Sequence, residues 1–248
     1  MPSARSRCHR FVPLVGSLIA VAACAAPAIA IVEGDQPPSI ALDPNAAGSK
    51  SKLALDVHPS QSQSGSDQAI ESVVVSAPRG LVVDPRSRAR RCSPKQAHDF
   101  ACPKESKIGS GQATGHATGA IVPGGRQDFT AGVEAFLAPA VRKGDIAGAV
   151  LQVTEMRSGL RGSATGRIVR GGHSKLYGVK LRFDDFPQYP GVTLTIDHVT
   201  LLAGARRKGH SLLTNPRKCR SGSWPFRIDV VYSDHSERGD LAAPCRAR

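Results

Sequence analysis

The chain has 248 residues, 33 of them Lys or Arg and 20 Asp or Glu, for a formal net charge of +13. A chain this long can bury a core in one or two domains, and 40% hydrophobic residues are too many for a disordered protein. Glycine has no period, which excludes collagen, and the one long apolar run, at the N-terminus, is too short for a comfortable membrane span.

Residues 1–30 read as a secretion signal. Arg5, Arg7 and Arg10 precede an apolar stretch from Phe11 to about Ala23, and Ala28-Ile29-Ala30 forms an A-x-A cleavage site before Ile31. Pro13, Gly16 and Pro27 argue against an ordinary buried helix. Val21-Ala22-Ala23-Cys24 also matches a bacterial lipobox, which would leave Cys24 lipidated at the new N-terminus. The residues after Cys24 are apolar, unlike a polar tether, and favour the A-x-A site. Its cleavage removes three Arg and no acid, taking the net charge from +13 to +10.

Residues 31–52, rich in Pro, Ser, Gly and Ala, are expected to be a flexible N-terminal extension, and 59–68 an exposed Ser/Gln/Gly loop. Period-2 alternation dominates from Leu53 onward. Leu53, Leu55 and Val57 share one face, then Phe129, Ala131, Val133, Ala135 and Leu137. Tyr177, Val179, Leu181 and Phe183 alternate with Gly178, Lys180, Arg182 and Asp184, and Phe226, Ile228, Val230 and Tyr232 form a fourth run. Shorter strands are expected at 70–76, 108–114, 146–156 and 162–170. Between Val192 and Leu201 the apolar phase slips at Asp197-His198, and a β-bulge there would keep both halves on the core. Pro78-Arg79-Gly80, Pro123-Gly124-Gly125, Gly171-Gly172 and Pro190-Gly191 break the runs. The reading is an all-β fold. It is an antiparallel β-sandwich, jelly-roll or immunoglobulin-like, over 53–248, with two smaller β domains as the alternative.

Cys8 and Cys24 leave with the signal, and Cys92, Cys102, Cys219 and Cys245 remain. An even count in an exported chain reads as two disulfides. Of the three pairings, the local one, Cys92–Cys102 with Cys219–Cys245, is expected. Neither pair has the close spacing of a zinc site.

Pro78-Arg79-Gly80-Leu81, Cys92, Cys102-Pro103, Ser106, Ile108-Gly109 and Asn215-Pro216 before Cys219 form a pattern. It resembles that of uncharacterised exported proteins of high-GC actinobacteria, "P-x-G-L … C … C-P-x-x-S-x-I-G … N-P-x-x-C". The resemblance spans roughly residues 70–235. It implies an exported, disulfide-stapled fold and no particular activity. Gly109 and Gly111 read as backbone-permissive sites and Asn215-Pro216 as a turn.

No metalloprotease, Walker A or nucleophile-elbow motif is present, and no cofactor is expected. Gly109-Ser110-Gly111 with Gly115 has the wrong spacing for a dinucleotide loop, and Ser49-Lys50-Ser51-Lys52 is a chance S-x-x-K match. Asp184, Asp185 and Asp197 are the carboxylates a glycan hydrolase would use. His198 sits at the expected bulge, and His58, His98, His116, His173, His210 and His235 read as surface or loop residues without paired spacing. Basic runs stand out. Arg86, Arg88, Arg90 and Arg91 form one; Arg206, Arg207 and Lys208 a second; Arg217, Lys218 and Arg220 a third. Such runs attract anionic cell-surface polymers or glycans. No aromatics interleave with them, which disfavours single-stranded nucleic acid. The expectation is an exported, non-catalytic envelope or secreted protein binding anionic polymers; the alternative is a secreted hydrolase acting on glycans.

Overall fold

Alternation becomes strand wherever the sequence carries it. The structure, a computed structural model, describes residues 38–58, 69–186 and 189–247, without the side chain of Asp185. The expected signal, both cleavage sites, Cys24 and the 59–68 loop lie outside the described residues. The strands are β1 (Ser39–Asp43), β2 (Lys50–Val57), β3 (Ile70–Pro78), β4 (Val82–Val83), β5 (Lys107–Thr118) and β6 (Arg126–Ala138). They continue as β7 (Ala147–Glu155), β8 (Arg161–Arg170), β9 (Tyr177–Asp185), β10 (Thr193–Ala203), β11 (Arg206–Arg207) and β12 (His210–Ser211). The last are β13 (Leu213–Thr214), β14 (Ser223–Tyr232) and β15 (Ser236–Pro244); one short helix, α1 (Pro94–His98), is capped by Ser93 and Gln96.

The long strands form one antiparallel sheet in the order β1-β2-β10-β5-β6-β7-β8-β9-β3-β14-β15. Strands β5 to β9 are a plain meander, because each connection is a short turn. β13 pairs with the start of β2 and with β4, and β11 and β12 form a separate small hairpin. Eleven strands alternating in direction leave β1 and β15 pointing the same way. The chain just beyond these two strands meets in parallel, as a parity argument requires. Ala46 bridges Arg246, with Ala47 N–H donating to Arg246 O at 3.0 Å and Arg246 N–H to Asn45 O at 3.1 Å.

One face of the sheet encloses a single core. Ile40 and Leu42 enter it from β1, Leu137 from β6, Ile168 from β8, Phe183 from β9, Phe226 from β14 and Ala243 from β15. A continuous sheet whose distant strands meet across a shared core is sandwich-like, antiparallel and all-β, as expected. Both disulfides have the expected local pairing, Cys92–Cys102 and Cys219–Cys245. On the opposite face of β6 and β7, Phe136, Ala138 and Val150 pack under Cys92 and Ala97. The first disulfide and α1 thus cover an outer patch.

One expectation needs correction. Residues 39–52 are not a flexible extension: β1 and the start of β2 lie there, with Ile40 3% and Leu42 2% exposed. The run Ser39-Ile40-Ala41-Leu42-Asp43 alternates and pairs with β2 across residues 52–56. The described residues belong to one unit, Pro37–Arg248, and share one core.

Candidate functional site

The first candidate is basic. β11 and β12 turn back through Lys208 (φ 43°) and Gly209 (φ 82°), with Arg207 opposite His210. Positive φ at both central positions marks a tight hairpin turn, where Asn-Gly is the usual choice and Lys is strained. The hairpin is fixed on both sides. Arg206 donates to Lys50 O at 2.9 Å, and Lys50 Nζ donates to Gly209 O. His210 Nδ1 lies 2.8 Å from Asp84 Oδ2, and Asp84 N–H donates to Leu212 O.

Asp84 caps the turn at Pro85–Ser87, which carries the first basic run against the second. Its carboxylate takes both the Arg86 guanidinium and the Arg86 N–H, at 2.9–3.2 Å. The Arg86 guanidinium, ahead of the backbone N–H and His210, holds the Asp84 carboxyl down at about 2, against the pull of burial. Arg91 is also absorbed by the structure. It donates to Arg88 O at 2.8 Å, to Arg90 O at 3.1 Å and to Pro85 O, and burial lowers its pKa. Arg88 Nε is buried without a partner, as are the hydroxyls of Ser87 and Ser211. Arg90, Arg207 and Lys208 are exposed, and none of them is in an ion pair. Of the seven basic residues expected to bind anions, Arg86 and Arg91 serve the fold. Arg88 has its Nε buried, Arg206 is exposed while bonded to Lys50 O, and Arg90, Arg207 and Lys208 are presented outward.

The second candidate lies on the outer face of β2 and β10. Leu53, Leu55 and Leu201 point to the core, so Asp56, His58, His198 and Thr200 face away from it. The register that pairs Val57 with Val199 brings His58 opposite His198. Their rings stack, with centroids 4.2 Å apart and planes within 2°. Asp56 Oδ1 lies 2.8 Å from His198 Nε2 and 3.5 Å from His58 Nε2. The expected bulge is present: Ile196 pairs with Gly115 and His198 with Thr114, which leaves Asp197 between them. Asp197 Oδ2 meets Nδ1 of His116 at 3.1 Å, and the His116 side chain is only 1% exposed. The sequence reading placed His58 and His116 among unpaired surface residues. The structure gives each a carboxylate, and only the strand register carried that information.

Of the expected hydrolase carboxylates, Asp184 and Asp197 lie on different strands, β9 and β10. Asp184 is an exposed partner of Arg182 at 2.9 Å on the outer face of β9. Four strands, β5 to β8, stand between β9 and the β10 bulge that carries Asp197. The strand of Asp185 is described but its side chain is not.

Asn215 and Ser106 of the resemblance pattern make hydrogen bonds within the fold. Asn215 is 1% exposed; its Nδ2 donates to Pro44 O at 2.8 Å and Ala46 O at 3.0 Å, and its Oδ1 accepts from Ser51 Oγ at 2.5 Å. Ser106 Oγ donates to Pro103 O at 2.6 Å. A Cβ on Gly111 would stand 1.8 Å from Thr200 O, so no larger residue fits between β5 and β10 there. No protein family, curated protein or solved structure matches the chain.

Proposed function

We propose that this is an exported, non-catalytic envelope or secreted protein that binds anionic polymers through one basic face. Arg90, Arg206, Arg207 and Lys208 carry that face. The observation behind this reading is the packing of the β11–β12 hairpin against the Pro85–Ser87 turn. It brings the turn at the start of the first basic run beside the hairpin of the second, more than a hundred residues away in the chain. The strained placement of Lys208 at the hairpin tip adds weight, because uncommon backbone geometry collects at sites that need it. The face is scaffolded by the Asp84 and Arg91 networks, so its outward charges are held rather than loosely tethered.

Export rests on the N-terminal charge and apolar pattern and on two disulfides, which persist in oxidising compartments. The polymers such a protein meets there carry phosphate or carboxylate groups. Their attraction is Coulombic and falls as salt screens it.

The test uses soluble polyphosphate and a polycarboxylate as probes. Affinity is measured at about 20 mM and about 200 mM salt, where the screening length falls from roughly 20 Å to roughly 7 Å. Binding is expected at low salt and a loss of tenfold or more at high salt. Lys208→Asn with Arg207→Gln separates folding from binding, since Asn suits the turn. Its melting temperature should hold or rise while affinity drops several-fold. Absence of binding at low salt, or a variant that binds as well as the parent, overturns the proposal.

A further inference from the structure

The geometry points to a divalent transition-metal site formed by Asp56, His58 and His198, separate from the basic face. We propose that it binds an ion of the Zn²⁺ class. One oxygen and two imidazole nitrogens, Asp56 Oδ1, His58 Nε2 and His198 Nε2, all lie within 4.8 Å of one another. A tetrahedral ion with bonds of about 2.0–2.1 Å needs ligand atoms about 3.4 Å apart. The measured 2.8 and 3.5 Å from Asp56 Oδ1 bracket that value. The donor set is also chemically apt: imidazole and carboxylate suit zinc, copper and nickel rather than calcium or magnesium.

The backbone is a suitable support. His58 and His198 face each other across paired antiparallel strands, where opposite Cβ atoms stand about 4.5–5.5 Å apart. Asp56 is two residues before His58, which directly follows β2, and alternation puts the two on the same face. The two stacked rings would rotate until both nitrogens aim at one point. The side chains are 34–40% exposed, so the ion has a direct path in. The fourth position would open to solvent and hold water. A ligand from a second molecule could take the same place.

The test begins with the full processed protein, stripped with chelator and titrated with Zn²⁺ alone by calorimetry, with bound metal counted after dialysis. One ion per chain is expected. Asp56→Asn and His198→Gln should each weaken binding at least tenfold. His58→Gln, at the strand end, provides a second reading if His198→Gln does not fold. His210→Gln breaks a separate histidine–carboxylate pair, with Asp84, and should leave zinc affinity unchanged. Cobalt(II) in place of zinc should give a visible absorption band that vanishes in His198→Gln and His58→Gln. Zinc binding that survives both Asp56→Asn and His58→Gln overturns the proposal. So does a parent that binds no zinc, in which case the stacked pair is cross-strand packing pinned by a carboxylate.

Discussion

Asn215 shows how much one residue can tie together. Its amide joins the β1–β2 loop, through Pro44 and Ala46, to Ser51 at the start of β2, all from a position just after β13. A buried donor or acceptor left unmatched costs about 1–3 kcal/mol. Asn215→Ala removes the side-chain partner of Pro44 O and of the Ser51 hydroxyl, while Ala46 O keeps the N–H of Ser49, so a loss of about 2–3 kcal/mol is expected. Urea unfolding checks it, and a change below about 1 kcal/mol would count against this role. The sequence reading identified Asn215-Pro216 only as a turn, because its partners lie more than 160 residues away. The same limit hid Asp56, His58 and His116. Single residue types show no pairing until a register brings strands together. Arg86 and Arg91 were legible as charge, but not as charge already committed to Asp84 and to backbone carbonyls.

At the scale of the element, alternation told most of the story. The outward and inward positions of β6, β9 and β14 follow their period-2 pattern, since a strand with one buried face must alternate. The β10 bulge was legible because a phase slip in an otherwise regular run has few other remedies. β1 was missed because five alternating residues between a Pro-rich stretch and Asp43-Pro44 look like loop. Its burial comes from β2 and, at the far end of the chain, from the region of β15. The second disulfide belongs to this end of the sheet. Cys245 follows β15 directly and its N–H donates to Gly222 O at 2.8 Å, so the bond to Cys219 anchors the last strand. Twenty-six residues of separation give a loop-entropy contribution of about 3.5 kcal/mol. Cys219→Ser with Cys245→Ser should lower stability by about 2–4 kcal/mol. Limited proteolysis should then cut first near the C-terminus. Cuts appearing first in the β5–β9 meander would contradict the anchoring role.

For the whole molecule, the ionic network predicts how stability follows pH. Asp84 is held at about 2, chiefly by Arg86. Asp145 is lowered first by Arg167 and Asp240 first by Arg227, while Glu155 is lowered first by its hydrogen bond from Ser158. Each pKa is depressed on folding, so its stabilisation is complete above the unfolded value of about 4 and is lost as pH falls toward 2. Protonating these groups also raises a net charge that is already +13, and self-repulsion adds to the loss. At the other end, burial raises Tyr232 to about 12 and also raises Tyr177. Those contributions are complete below about pH 10 and are lost as pH rises past it. His235, raised first by Asp234, adds a smaller step of the same sign near neutrality, complete below about pH 6.5. The urea midpoint should therefore stay within a narrow range through the neutral region and fall steeply between about pH 4 and pH 2. Added salt should soften the acid fall by screening the excess positive charge. Asp84→Asn assigns the largest single part of it: the variant should be less stable than the parent at pH 7, with the difference closing as pH approaches 2. A gap that persists unchanged at low pH would mean that Asp84 acts through its shape as a cap rather than through its charge.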